Sequence, residues 1–150
     1  MKAKIQHEIQ EYCSLLRLNA IGEHFEEAIK NATDYEGFLH QLLRMEVDAE
    51  EERAKERKIK AAKFPYRKYI EDLEMDLLPE SMRKRLPELC SLDFIRESKN
   101  IIMTGNPGTG KTHTAIGLGI KACEQGYRVL YTTIPYLVTE LKESNSQQKL

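Results

Sequence analysis

The chain has 150 residues, 31% of them charged and 41% hydrophobic, with a formal net charge of −1. Eight glycines and five prolines are too few for a collagenous or low-complexity chain, and the apolar content is too high for a fully disordered one. Its longest apolar stretches, such as Ile101-Ile102-Met103, fall far short of the ~20 residues of a membrane span.

The N-terminus, Met1-Lys2-Ala3-Lys4-Ile5-Gln6-His7-Glu8, carries charge but no apolar stretch of the secretory kind, so a cytoplasmic protein without a membrane partner is expected. Ile5, Ile9, Tyr12 and Leu16 recur at helical spacing, and Ile21, Phe25, Ala28 and Ile29 repeat the pattern. Thr33 followed by Glu36 has the form of a capping box, in which hydroxyl and carboxylate each satisfy an orphan amide. The helix that it opens is expected to bury Phe38, Leu39, Leu42, Leu43 and Val47, then to run on as charge to about Lys63, where Phe64-Pro65 stops it. Short helices broken at Pro79 and Pro87 are expected between Tyr66 and Leu92.

Charge is unevenly placed along this stretch. Glu46, Asp48, Glu50, Glu51 and Glu52 precede a basic segment interrupted only by Glu56. Arg53, Arg57, Lys58, Lys60, Lys63, Arg67 and Lys68 are candidate contacts to duplex DNA, since each phosphate neutralised releases counterions without base readout. The alternative is a solvated helix face whose charges pair at i, i+4 with the acidic block. The two aromatics of the segment, Phe64 and Tyr66, sit together at the Pro65 turn and do not alternate with its basic residues, so single-stranded nucleic acid is the less favoured partner.

After Asn100 the period changes. Asn100 to Thr104 is a short apolar run of the kind that forms a strand buried on both faces. A helix is predicted from Lys111 to Gln125 with Gly126 as its cap, then a second strand from Tyr127 to Thr133. Pro135 suits the first turn of a last helix carrying Leu137, Val138 and Leu141. The expected fold class is therefore α/β: a helical domain over 1–63, a helical linker over 64–99 and part of a P-loop domain over 100–150, its βαβ crossover right-handed.

Gly105-Asn106-Pro107-Gly108-Thr109-Gly110-Lys111-Thr112 satisfies G-x-x-x-x-G-K-[ST] between a predicted strand and a predicted helix. The glycines allow positive φ and bring bare amides close to phosphate oxygens. Lys111 adds a full charge for the terminal phosphates, and Thr112 a hydroxyl suited to Mg²⁺. A glycine-rich turn with an incidental Lys-Thr is the bland alternative. Cys13, Cys90 and Cys123 form no Cys-x-x-Cys pair, and His7, His24, His40 and His113 show no ligand spacing, so neither a disulfide framework nor a zinc site is expected.

These residues carry a resemblance. The stretch from Asn100 to Ile134, with Leu137-Val138-Thr139-Glu140-Leu141, is similar to the IstB family of AAA+ ATPases, the helper proteins of bacterial insertion sequences. Lys63-Phe64-Pro65-Tyr66, Leu92-Asp93-Phe94-Ile95, Thr112-His113 and Gly126-Tyr127 extend the likeness over nearly the whole chain. Asn106 stands where the family more often has Pro. The resemblance implies an ATP-binding, duplex-DNA-binding oligomer that recruits or activates a transposase under ATP control. It assigns nucleotide contacts to Gly105, Asn106, Pro107, Gly108, Thr109, Gly110, Lys111, Thr112 and His113, the catalytic terminal-phosphate contact to Lys111 and Mg²⁺ to Thr112.

The acidic element that hydrolysis requires is not evident, because Glu124, Glu140 and Glu143 all fall in predicted helices. A fragment or truncated product ending before the Walker B strand, sensors and arginine finger is expected. In the family, other strands separate the two predicted here. A replicative helicase loader and a non-hydrolysing DNA- or protein-binding module are the competing functions, and a small-molecule P-loop kinase ranks last.

Overall fold

The computed structural model describes residues 2–147, so Met1 and the last three residues of the expected 100–150 region lie outside it. The chain divides into two compact units, 1–54 and 55–150, and one long helix contributes to both.

The first unit contains α1 (Lys2–Leu16), α2 (Asn19–Asn31) and the start of α3 (Tyr35–Ala61). Arg17 takes positive φ and the Leu18 amide donates to the Cys13 carbonyl at 2.8 Å, which turns α1 into α2. A Cβ on Gly22 would lie 3.1 Å from that of Cys13, so the two helices approach closely there. Their core is Cys13, Ile21, Phe25, Ala28 and Leu42, with Ile9, Leu18 and Phe38 against it. The expected α1 face differs: Ile5, Tyr12 and Leu16 are exposed and Cys13 is the buried residue. Leu39, Leu43 and Val47 are likewise more than half exposed, and Leu42 alone of the expected α3 stripe belongs to the buried core. The capping residue of α3 is Asp34, one place beyond Thr33, its carboxylate accepting the Gly37 amide at 2.6 Å. Glu46 of α3 accepts the Ile21 amide, an orphan donor in the first turn of α2, at 3.1 Å, and Arg53 donates to the same carboxylate at 2.5 Å.

In the second unit α3 ends at Ala61, and Lys63 turns the chain with positive φ ahead of Phe64-Pro65. Two 3₁₀ turns follow (Ile70–Asp72 and Met75–Leu77), then α4 (Glu80–Cys90), α5 (Asp93–Arg96), α6 (Lys111–Glu124) and α7 (Ile134–Gln147). Pro79 caps α4, but Pro87 lies inside it on an exposed turn and does not end it. At the far end of α6 the Tyr127 amide reaches the Ala122 carbonyl and the Gly126 amide that of Cys123, both at 3.0 Å. With Gly126 at φ 95 this is a Schellman stop. Burial pushes the Cys90 and Cys123 thiols up, away from the reactive thiolate.

The expected α/β class is overturned. Among the described residues there is no strand, and helices carry the architecture throughout. The 101–104 and 127–133 segments are irregular, and Ile102, expected inside a doubly buried strand, is 86% exposed. Their apolar signal has another cause. Ile101 and Met103 on one segment, and Tyr127, Val129 and Tyr131 on the other, alternate onto helical clusters. Such alternation reports one-sided burial, whereas a strand also requires a neighbouring backbone in register. Tyr131 finds a helix end instead, its amide donating to the Ala62 carbonyl at 2.8 Å. No described helix is long and apolar enough to cross a membrane.

Two clusters centre on α6. Ile116, Ile120 and Cys123 pack with Ile59 and Ala62 of the α3 end, and Leu118 and Ala122 pack with Leu92. Arg67 clamps the segment after α3 to that helix through a two-pronged pair with Glu56, at 3.0 and 2.7 Å. The guanidinium hydrogen bonds hold the Glu56 carboxyl below its ordinary value of 4.5. A lowered folded pKa means stability that is present above the unfolded value and lost as pH falls through the folded one. Glu56→Gln should therefore melt below wild type at neutral pH, and the two melting curves should converge in acid. A gap that persisted or widened in acid would show that the pair contributes otherwise.

Candidate nucleotide site

The loop at 105–112 is built on three left-handed glycines, Gly105, Gly108 and Gly110, with φ of 141, 79 and 76. At Gly110 this conformation also ends the loop, since Gly110 is the N-cap of α6. Its carbonyl accepts both the amide and the hydroxyl of buried Thr114, at 2.8 and 3.0 Å. The first amides of α6 then have no partner four residues back, and the helix dipole concentrates positive potential there. Across the turn, the Thr109 hydroxyl donates to the Asn106 carbonyl at 2.9 Å.

Lys111 folds over this turn. Its ammonium donates to the carbonyls of Gly105 and Asn106, at 2.9 and 2.6 Å, and to the Thr109 hydroxyl at 3.3 Å. The charge thus sits over the loop, at the start of the helix, on neutral acceptors that an anion can replace. Thr112 is exposed one residue further on, and Gly108 and Pro107 are open to solvent. His113 turns elsewhere: its Nε2 lies 2.7 Å from the Tyr69 carbonyl, a contact that the sequence does not announce.

A cleft of about 720 Å³ opens beside the loop, lined on one side by Gly105, Asn106, Thr109 and Lys111. Arg85 and Glu88 of α4 and Lys99 face it, and Lys99 pairs with Glu97 at 2.6 Å. Arg85 belongs to no motif and reaches the cleft only through the packing of α4, so pattern reading had no means of finding it. Behind the loop lies a strap, residues 64–78. Ile70 packs on Gly117, Phe64 on Gly119 and Leu78 on Gly110, each so closely that a Cβ would meet it under 3.0 Å. Glycines inside a predicted helix were the available signal for that close approach.

The basic segment is not one uniform cationic face. Arg53, in the first unit, is held by Glu46 and Glu50, and these hydrogen bonds raise its pKa. In the second unit Arg67 is committed to Glu56, and Lys58 is half-buried near Gly126. Arg57, Lys60, Lys63 and Lys68 are exposed. Glu124 closes α6, and Glu140 and Glu143 lie within α7.

Comparison with known proteins adds a family. A family model described as IstB-like ATP binding protein matches residues 13–150. A Pseudomonas aeruginosa protein named for insertion sequence IS21 and for ATP binding is 34% identical over 148 residues, covering 96% of this chain and 56% of its own. A Geobacillus stearothermophilus protein named likewise for IS5376 is 35% identical over 150 residues, covering 97% and 60%. The corresponding IS232 protein of Bacillus thuringiensis subsp. berliner is 26% identical over 141 residues, covering 93% and 56%. The chain therefore spans 56–60% of the length of these relatives.

Proposed function

We propose, from the premise that the chain belongs to the IstB-like ATP-binding protein family, that the 105–112 loop is where it holds the ATP phosphates. The observation that carries this reading is the Lys111 ammonium poised over the Gly105 and Asn106 carbonyls at the start of α6. An incoming terminal phosphate would replace those carbonyls with a charge-assisted partner, while the first amides of α6 meet the remaining oxygens. Thr112 fits Mg²⁺: its hydroxyl is exposed in the first helical turn, next to the lysine. When bound, the ion would neutralise phosphate charge. Glu124, Glu140 and Glu143 lie at the end of α6 and in α7, and none of them is assigned a role toward the nucleotide.

The likeness to insertion-sequence proteins supports a helper role in transposition, with duplex DNA, the transposase and further copies of the chain as partners. Exposed Arg57, Lys60, Lys63 and Lys68 are the side chains proposed to meet DNA phosphates.

Titration of the chain with Mg²⁺–ATP by calorimetry is the test, with Lys111→Ala beside it. A hydrogen bond to a charged group contributes about 1.5–3 kcal/mol, so the variant should bind roughly 10- to 150-fold more weakly. Equal affinity of variant and wild type would overturn the assignment.

A further inference from the structure

We infer that His113 is a positioning residue for the nucleotide loop, locking the start of α6 onto the strap through the Tyr69 carbonyl rather than touching nucleotide. The inference rests on the reading of 105–112 as the phosphate site. It deepens that reading by assigning a role to a side chain that the phosphate contacts leave unused.

The contact is specific in chemistry. A backbone carbonyl only accepts, so at 2.7 Å the Nε2 of His113 must carry the proton. His113 is half-buried, two residues after Lys111 and one after Thr112. Ile70 on Gly117 and Phe64 on Gly119 are apolar contacts between strap and α6. Apolar packing sets the distance between two elements but only weakly their register. A short directional hydrogen bond in the first turn fixes the rotation and axial position of the helix start. Those two quantities decide where Lys111 and Thr112 point. The strap is itself held, since the amides of Asp72 and Leu73 donate to the carbonyls of Tyr69 and Ile70 at 3.3 and 3.1 Å. Two residues before Tyr69, Arg67 fastens the same segment to α3. His113 thus closes a rigid frame of α3, strap and α6 on which the loop sits.

The test compares His113→Ala, His113→Gln and His113→Asn in the intact chain, by Mg²⁺–ATP titration and thermal melting. Gln offers an amide donor of similar reach, and Asn the same donor on a shorter stem. The alanine and asparagine variants should bind ATP roughly 5- to 20-fold more weakly, as for the loss of one hydrogen bond with some misplacement of the loop. Gln should stay within about twofold of wild type. Equal loss in Ala and Gln, or no loss in Ala, overturns the inference while leaving the loop assignment intact. Failure of wild type to bind ATP overturns both together. Imidazole ¹⁵N spectra of the wild-type chain judge the contact even where a variant does not fold. A proton on Nε2 is expected at His113, and a ring protonated on Nδ1 alone would rule the lock out.

Discussion

Replacing Gly117 with Val should destabilise the second unit by about 3 kcal/mol, more than a helix-interior glycine would ordinarily register. Gly117 lies mid-way along α6 and is buried. A Cβ there would stand 2.7 Å from Cδ1 of Ile70, 3.0 Å from its Cγ1 and 3.1 Å from its backbone nitrogen. The side-chain atoms could rotate away. The nitrogen could not, because Ile70 opens a 3₁₀ turn whose carbonyl is taken by Leu73. Two opposed effects then decide the alanine variant. Helix propensity favours Ala over Gly by about 1 kcal/mol, and displacing the strap costs a comparable amount. Gly117→Ala should therefore melt close to wild type. Valine adds two γ-carbons with a restricted χ1 and no further propensity gain, so the strap must move. For a unit of this size, 3 kcal/mol corresponds to a melting temperature lower by roughly 12–24 °C. A Val variant melting within a few degrees of wild type would show that the strap lies on α6 without holding it.

That glycine illustrates which parts of the molecule could be read beforehand. The ends of α6 were legible because both are set by backbone conformation, Gly110 at its start and Gly126 at its stop. The 105–112 loop was legible for the same reason: its glycines state a φ requirement locally. Where a feature depends on what lies across from it, the sequence is silent. Tyr127, Val129 and Tyr131 do alternate inward, but the surface beneath them is helical and not a second strand. Leu39, Leu43 and Val47 mark one face of α3 without saying that anything covers it, and they stand exposed. Asp34 and Thr33 are both competent caps, and the choice between them rests on one turn of geometry. Arg85 and the Tyr69 carbonyl reach the site only through tertiary packing, beyond any local pattern. The resemblance assigned His113 a nucleotide contact, and the 2.7 Å approach of its Nε2 to the Tyr69 carbonyl of the strap is a partner that the resemblance did not name.

The loop glycines divide by the same logic into two kinds, and Gly110→Ala against Gly108→Ala separates them. Both residues hold positive φ, at 76 and 79, so alanine meets a left-handed backbone cost of about 1–2 kcal/mol at either. At Gly108 nothing lies within 4 Å of the added carbon, and that cost is the whole of it. At Gly110 the carbon would come 2.7 Å from Cδ2 of Leu78 and 3.9 Å from that of Leu73. Leu78 is a side-chain contact, which elsewhere would simply rotate. Here it is 4% exposed and locked in a cluster with Leu73 and Leu86, so its displacement disturbs that cluster too. Overpacking adds about 1–3 kcal/mol, which takes Gly110→Ala to roughly 2–5 kcal/mol in all. Chemical denaturation of the two variants measures the difference directly, since the shared φ cost cancels between them. A Gly110→Ala midpoint well below that of Gly108→Ala means that the 70–78 strap buttresses the loop from behind. Coincident midpoints would mean that Leu78 yields, and that the loop keeps its shape through its own backbone alone.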